Sequence, residues 1–240
     1  MSKKILLLGC LILLSYTGKA QILISLLLGD KLNSPKVEFG LDGGLNLTNI
    51  QGLSNADLRG NFNLGFYFDL KLFRNPAWSL NTGVIVKSPM GAQGLPVYSL
   101  NNTNLDSAFK GGTVNRKLRY FSVPILMKYK FGNNFFIKGG VQLALINHGT
   151  DIFINKVVDK DDLKFEVDVR NQYNPLDAGL VVGAGYRLMG GNGMNLGIQY
   201  YQGLVEIRKD QSGTTQLNSS LYFTVGIPIG KVQKAPEATK

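Results

Sequence analysis

A single histidine, His148, stands in the stretch NHGTD with Asp151 three residues on. An imidazole within reach of a nucleophile or a water, and oriented by a carboxylate, works as a general base. H-x-x-D supplies two parts of such a site but no nucleophile, and a solvated loop histidine satisfies the spacing equally well. The sequence has no Gly-rich phosphate loop, no HExxH helix and no zinc-ligand spacing. Its one cysteine, Cys10, lies near the N-terminus. No cofactor, no metal and no catalytic residue are therefore expected, and the chain reads as a non-enzyme.

Lys71, Lys128, Lys130, Lys138 and Arg187 alternate with apolar residues, as do Glu38, Asp42, Asp69 and Asp177. On one surface these would form a charge network with a basic excess. Such a network fixes the register of neighbouring strands, docks an acidic partner or favours anions in a narrow passage. The elements that carry them decide between these.

Those elements read as strands. In NFNLGFYFDLKLF, residues 61–73, Phe62, Leu64, Phe66, Phe68, Leu70 and Leu72 fall on one face, and Asn61, Asn63, Asp69 and Lys71 on the other. The same period recurs at 37–47, 78–87, 119–131, 135–146, 176–188, 194–205 and 217–229, giving eight segments. They exceed the five or six residues of an average soluble strand and suit the roughly 9–11 that cross a bilayer at a tilt. Their apolar faces carry no Lys, Arg, Asp or Glu, as expected where a midplane cation costs about 2–4 kcal/mol.

The joins alternate. RNPA, GNN and GGNG are short, whereas 88–118 and 147–175 are long. Short periplasmic turns and longer extracellular loops produce this pattern in a membrane barrel. The expected fold is all-β, an eight-stranded antiparallel up-and-down transmembrane β-barrel, with apolar faces toward lipid and the charge network in the lumen near the periplasmic end. Eight strands leave an interior that side chains fill, which argues against a wide pore. DIFINKVV and LKFEVDVR flank a DKDD turn and predict a hairpin that extends the barrel beyond the membrane; cleavage by surface protease is expected near Asp159–Asp162.

MSKKILLLGCLILLSYTGKA has the basic start, apolar run and small residues of a secretory signal peptide, placed at 1–20. A periplasmic lead at 21–35, the barrel at 36–230 and a polar periplasmic tail at 231–240 follow. Loss of Lys3, Lys4 and Lys19 lowers the formal net charge from +10 to +7. Export makes nucleic acid an unsuitable partner for this basic surface. Outer-membrane lipid and lipopolysaccharide, the barrel assembly machinery and a periplasmic or extracellular protein are the partners expected.

VEFGLDGGLNLTNI, RYFSVPILMKYKF followed by FFIKGGVQLAL, and the closing LYFTVGIPIG resemble the PorT-like "porin family" barrels of Bacteroidota and, more loosely, the OmpX and OmpA-barrel group. The resemblance covers 36–230 and implies an outer-membrane location with both termini periplasmic; kinship with PorT raises a place in a secretion apparatus. The final strand departs from it by ending GIPIG instead of the terminal aromatic common in outer-membrane strands. The function this supports is structural, binding or assembly work by the loops and the 147–175 hairpin. The alternatives are a rim-site enzyme on lipid A or peptide near His148, and a narrow anion-preferring pore.

Overall fold

The computed structural model describes residues 32–72, 75, 77–156, 161–191, 193–210 and 213–230. The expected signal peptide, most of the lead, the C-terminal tail and the first half of the DKDD turn lie outside the described residues. Strands dominate: β1 (Val37–Gln51), β2 (Arg59–Lys71), β3 (Trp78–Pro96), β4 (Thr113–Lys130), β5 (Phe135–Asn155), β6 (Leu163–Asp168), β7 (Leu176–Arg187), β8 (Asn195–Gly203) and β9 (Leu217–Pro228), with a short helix α1 (Thr103–Ala108) between β3 and β4. Every pairing is antiparallel. β1 pairs with both β2 and β9, and β4 with β5, so eight strands close a ring while β6 hangs on β5 outside it. Closure pairs the wall's backbone groups without water, the condition for crossing hydrocarbon as strands.

The alternation of the sequence is the inside and outside of this ring. Phe62, Leu64, Phe121, Val123, Ile125, Met127, Val141, Leu143, Leu180, Val182, Ile198 and Phe223 are exposed on its outer face. Asn63, Asp69, Ser122, Lys128, Gln142, Asp177, Gln199 and Thr224 are buried within. At the short-turn end an aromatic belt encircles part of the wall: Trp78 lies 4.7 Å from Tyr129, Tyr129 4.9 Å from Phe131, and Phe131 5.9 Å from Phe135, centroid to centroid. Such rings suit a membrane–water boundary, where one part of the side chain is dry and the other wet.

Inside, two glycines make room for rings. A Cβ on Gly185 would stand 2.3 Å from Phe136 Cζ, and one on Gly40 would stand 2.3 Å from Tyr67 Cε1.

The join 88–118, expected as a loop, is in large part strand, and 147–175 holds the hairpin that DIFINKVV and LKFEVDVR predict. β3 runs on to Pro96, β4 starts at Thr113 and β5 continues to Asn155. Eighteen residues of β4 make about 60 Å of strand, or about 45 Å along the axis at a tilt of about 40°, well beyond an apolar band of about 25 Å. β6 pairs with the far end of β5, from Thr150↔Asp168 to Asn155↔Leu163.

Two register breaks mark the transition. The β3–β4 register shifts between Ile85 and Ser88, and the β4–β5 register between Arg119 and Tyr120. Each leaves two consecutive residues exposed, Val86 with Lys87 and Asn147 with His148. The alternation of 78–87 sets Lys87 on the inner face with Ser79 and Asn81; the break points it outward instead, with its ammonium 5.3 Å from the Phe62 ring centroid. Beyond the breaks the polarity inverts. Met90, Ala92, Val114, Leu118 and Phe153 are buried inside, while Lys117 and Arg119 lie on the outer side. A lipid-facing wall has become the end of a water-facing barrel with its own apolar core.

Candidate functional site

The lumen holds three tiers. At the short-turn end, Lys128 Nζ meets Asp69 Oδ2 at 2.6 Å and Arg187 Nη2 meets Glu38 Oε2 at 2.8 Å, all four side chains being buried. Asn81 Nδ2 donates to Asp69 Oδ1 at 2.7 Å, Tyr67 OH to Glu38 Oε1 at 3.1 Å, and Asn195 Nδ2 to Tyr67 OH at 3.2 Å. Lys128 also sits 4.4 Å from the Phe136 ring centroid. Asp42 and Lys138 line one small cavity of about 20 Å3 beside Lys128, room for about one water. The two ion pairs join strands that are not neighbours, β2 with β4 and β1 with β7, and so tie the wall together through the lumen, whereas the Asn81–Asp69 and Tyr67–Glu38 bonds join adjacent strands and pin their register.

Two of the expected residues lie elsewhere. Lys71 is exposed and donates to the Pro35 carbonyl at 2.9 Å, so it sits at the rim instead of in the network. Asp177 belongs to the middle tier, where Asn218 Nδ2 donates to its Oδ2 at 2.8 Å and to Tyr120 OH at 3.1 Å. Lys130 is half-buried at the short-turn end. Tyr120, Tyr201 and Tyr222 are fully buried in this middle tier, and Tyr222 OH lies 3.4 Å from Ser88 Oγ. Side chains of β1 reach past β2 to β3: Asn46 Nδ2 donates to the Pro89 carbonyl at 2.9 Å and Thr48 Oγ1 to the Gly91 carbonyl at 2.9 Å.

The third tier closes the long-loop end. Arg116 donates from Nε to Asp151 Oδ1 at 2.8 Å and from Nη2 to Oδ2 at 2.5 Å. Tyr98 OH donates to Asp151 Oδ2 at 3.0 Å, and the guanidinium lies 5.7 Å from the Tyr173 ring centroid. Partial burial, and then the Asp151 charge, push the Tyr98 phenol above its ordinary range. Tyr98, Phe153 and Phe109 stack in sequence, with centroids 4.9 and 5.8 Å apart. With Val97, Leu100 and Lys110 they line an outward-opening hollow of about 210 Å3.

Next to this hollow, α1 is capped by Asn102, whose side-chain oxygen accepts from Asn104 N at 3.1 Å and Leu105 N at 3.2 Å. Asp106 accepts from Leu100 N and from Ser99 Oγ, each at 2.7 Å. These two hydrogen bonds, the backbone one foremost, hold its carboxyl below the usual range.

The structure does not bring His148 and Asp151 together. His148 is exposed at the bulge on the outer face, whereas Asp151 is buried on the inner face against Arg116. Among the described residues no cluster of His, Cys, Asp or Glu is placed to hold a metal ion. The Arg116–Asp151 pair was missed because Arg116 lies in a join read as a loop and Asp151 was weighed only as a partner of His148. Val114, Arg116, Leu118 and Tyr120 do alternate, but in the inverse phase of a lipid-facing strand.

Several solved structures resemble the chain at low identity. Ail, the attachment invasion locus protein of Yersinia pestis, is 10% identical with a TM-score of 0.42, the match covering 80% of this chain and 99% of that one. Neisserial surface protein A is 12% identical with a TM-score of 0.39, covering 79% and 96%. OprG of Pseudomonas aeruginosa is 12% identical with a TM-score of 0.37, covering 82% and 95%. No curated protein matches the sequence. Residues 33–209 match the family described as "Outer membrane protein beta-barrel domain", and the chain belongs to that family of outer-membrane proteins.

Proposed function

We propose that the protein is a closed, non-conducting outer-membrane barrel whose work is done by its long-loop end, held outside the cell, with both termini in the periplasm after removal of a signal peptide. The Arg116–Asp151 pair carries this reading. A bidentate ion pair buried in the lumen, under Tyr98 and beside an apolar core, seals the barrel and gives the outer end a fixed shape. The ordered end then offers the aromatic hollow at Tyr98 and the outer edge of β6, the last strand of the sheet. A sheet edge of this kind accepts an added strand through its backbone groups. The partner is therefore a protein with an extended segment, as in an adhesive or secretion-associated assembly. The strand patterns quoted above support kinship with the PorT-like group within its family.

A photo-crosslinking residue at Lys164 tests this in intact cells. The expected result is a discrete protein adduct at Lys164, absent when the same residue replaces Asn133 in the short turn between β4 and β5. Adducts at Asn133 with none at Lys164 would place the working surface at the other end.

A further inference from the structure

The two register breaks lie at one height and flank β4, and together they build something that neither makes alone. They turn Lys87 and His148 to the outer face, where Lys87 and Asn147 stand on either side of Arg119 and Lys117. Between these groups opens a cleft of about 320 Å3, with Ser88 and Tyr120 among its lining. Arg59 adds a fourth cation close by, its Nη1 donating to the Arg116 carbonyl at 3.3 Å. Among the described residues none of the four forms an ion pair, and Glu166 is the acid felt by Lys117. Partial burial, followed by the charges of Arg119, Arg59 and Lys87, holds the Lys117 ammonium below its usual range. Four crowded cations, with Glu166 near Lys117 but no carboxylate in an ion pair with any of them, are an anion site by Coulomb's law.

The anion's chemistry follows from what lies beside the cleft. Phe62, Phe121 and Leu145 are 44–57% exposed immediately toward the membrane. Arg119 stands two residues beyond Phe121, about 7 Å along the strand. A soluble anion has no use for this apolar row. A ligand with a phosphate headgroup above acyl chains fits both halves at once.

We propose that this cleft is a headgroup site for a phosphorylated glycolipid of the outer leaflet, the phosphoglucosamine end of lipopolysaccharide. The glycolipid assignment rests on the outward orientation of the long loops proposed above. Lys87, Lys117 and Arg119 hold the phosphate, and Phe62 and Phe121 seat its chains.

The test uses the full protein in nanodiscs, with lipid A bearing two phosphates or none, phosphatidylglycerol and inorganic phosphate as probes, and native mass spectrometry as the readout. The triple variant Lys87→Gln, Lys117→Gln, Arg119→Gln is expected to bind phosphorylated lipid A about a hundredfold more weakly, from about fivefold per cation near an anionic surface. A control triple, Lys110→Gln, Lys164→Gln, Lys209→Gln, removes equal charge from the long-loop end and should leave binding unchanged. Both triples must keep the heat-dependent gel mobility of a folded barrel, and the comparison uses only protein that does. Equal loss in the control, or equal binding of dephosphorylated lipid A, overturns the site. Equal binding of phosphatidylglycerol, or full displacement by inorganic phosphate, overturns the glycolipid assignment in favour of a general phosphate site. Labelling of Thr103→Cys by an impermeant maleimide on intact cells reads the orientation independently. An unlabelled cysteine with lipid binding intact means that the orientation has failed and the cleft serves the inner leaflet.

Discussion

Arg116 and Asp151 face each other across the β4–β5 ladder, paired at Cα level and joined by two hydrogen bonds inside the barrel. Their alkyl and backbone surroundings are apolar: Val114, Leu118 and Phe153 are fully buried around them. The pair marks where the lumen ceases to be the inside of a membrane wall and becomes the core of a domain standing in water.

Breaking it should be costly. Asp151→Ala leaves a buried guanidinium without its counter-charge, and such losses run at about 3–5 kcal/mol. Urea unfolding of the refolded protein in detergent should show that loss. The double variant Arg116→Leu, Asp151→Leu removes both charges and should recover most of it. A double variant as unstable as the single would show that the pair's geometry, not its burial, is what matters.

The closed lumen predicts no conductance. Two ion pairs and the Tyr67–Asn195 bond fill the short-turn end, and the tyrosine tier and the Arg116 tier fill the rest. Planar-bilayer recordings should show no discrete channel events, and stable unitary currents from the intact protein would refute the filled-barrel account.

The membrane-crossing half was legible in the sequence because lipid imposes a simple rule. Phe121, Val123, Ile125 and Met127 face outward and Ser122 and Lys128 inward, as the alternation of 119–131 required. The outer half was not legible, because the rule changes sign there. With water outside, the apolar Val114 and Leu118 take the inward positions of β4 and Lys117 an outward one, although the facing of β4 never changes, and bulges shift the phase of β3 and β5 beside it. Lys87 was misplaced for this reason. The burial of Tyr120, Tyr201 and Tyr222 together depends on contacts across the lumen, which no single strand encodes.

Gly185 should tolerate no side chain. A Cβ there would stand 2.3 Å from both Phe136 Cζ and the Leu196 carbonyl oxygen. Gly185→Val is expected to lose at least the roughly 1–3 kcal/mol of an overpacked core, seen as a lower urea midpoint. Gly132→Val, where a Cβ meets nothing within 4 Å, should be nearly neutral.

The α1 loop should loosen in acid. The Asp106 carboxyl is depressed by its bonds from Leu100 N and Ser99 Oγ, so its contribution is present above the unfolded value of about 3.9 and is lost as pH falls through the lower folded value. The protection factor of the Leu100 amide against hydrogen exchange should fall below that range. Asp106→Ala should show the faster exchange already at neutral pH. A pH-independent protection factor would contradict the assignment.

His148 should be dispensable for lipid chemistry. It is separated from Asp151 by the wall itself, and His148→Ala should leave the lipid A mass spectrum of expressing cells unchanged. A missing or added acyl or phosphate group in the variant alone would revive a rim-site enzyme.

The inversion of polarity along one strand is the central claim, and a cysteine scan of β4 reads it directly. Single cysteines from Val114 to Tyr129, each carrying a fluorophore in lipid vesicles, would be challenged with a lipid-borne and a water-borne quencher. The account predicts lipid quenching at Phe121, Val123, Ile125 and Met127, aqueous quenching at Asn115, Lys117 and Arg119, and neither at Leu118, Ser122 and Leu126. Aqueous quenching at Val123 and Ile125, or lipid quenching at Asn115 and Lys117, would contradict it.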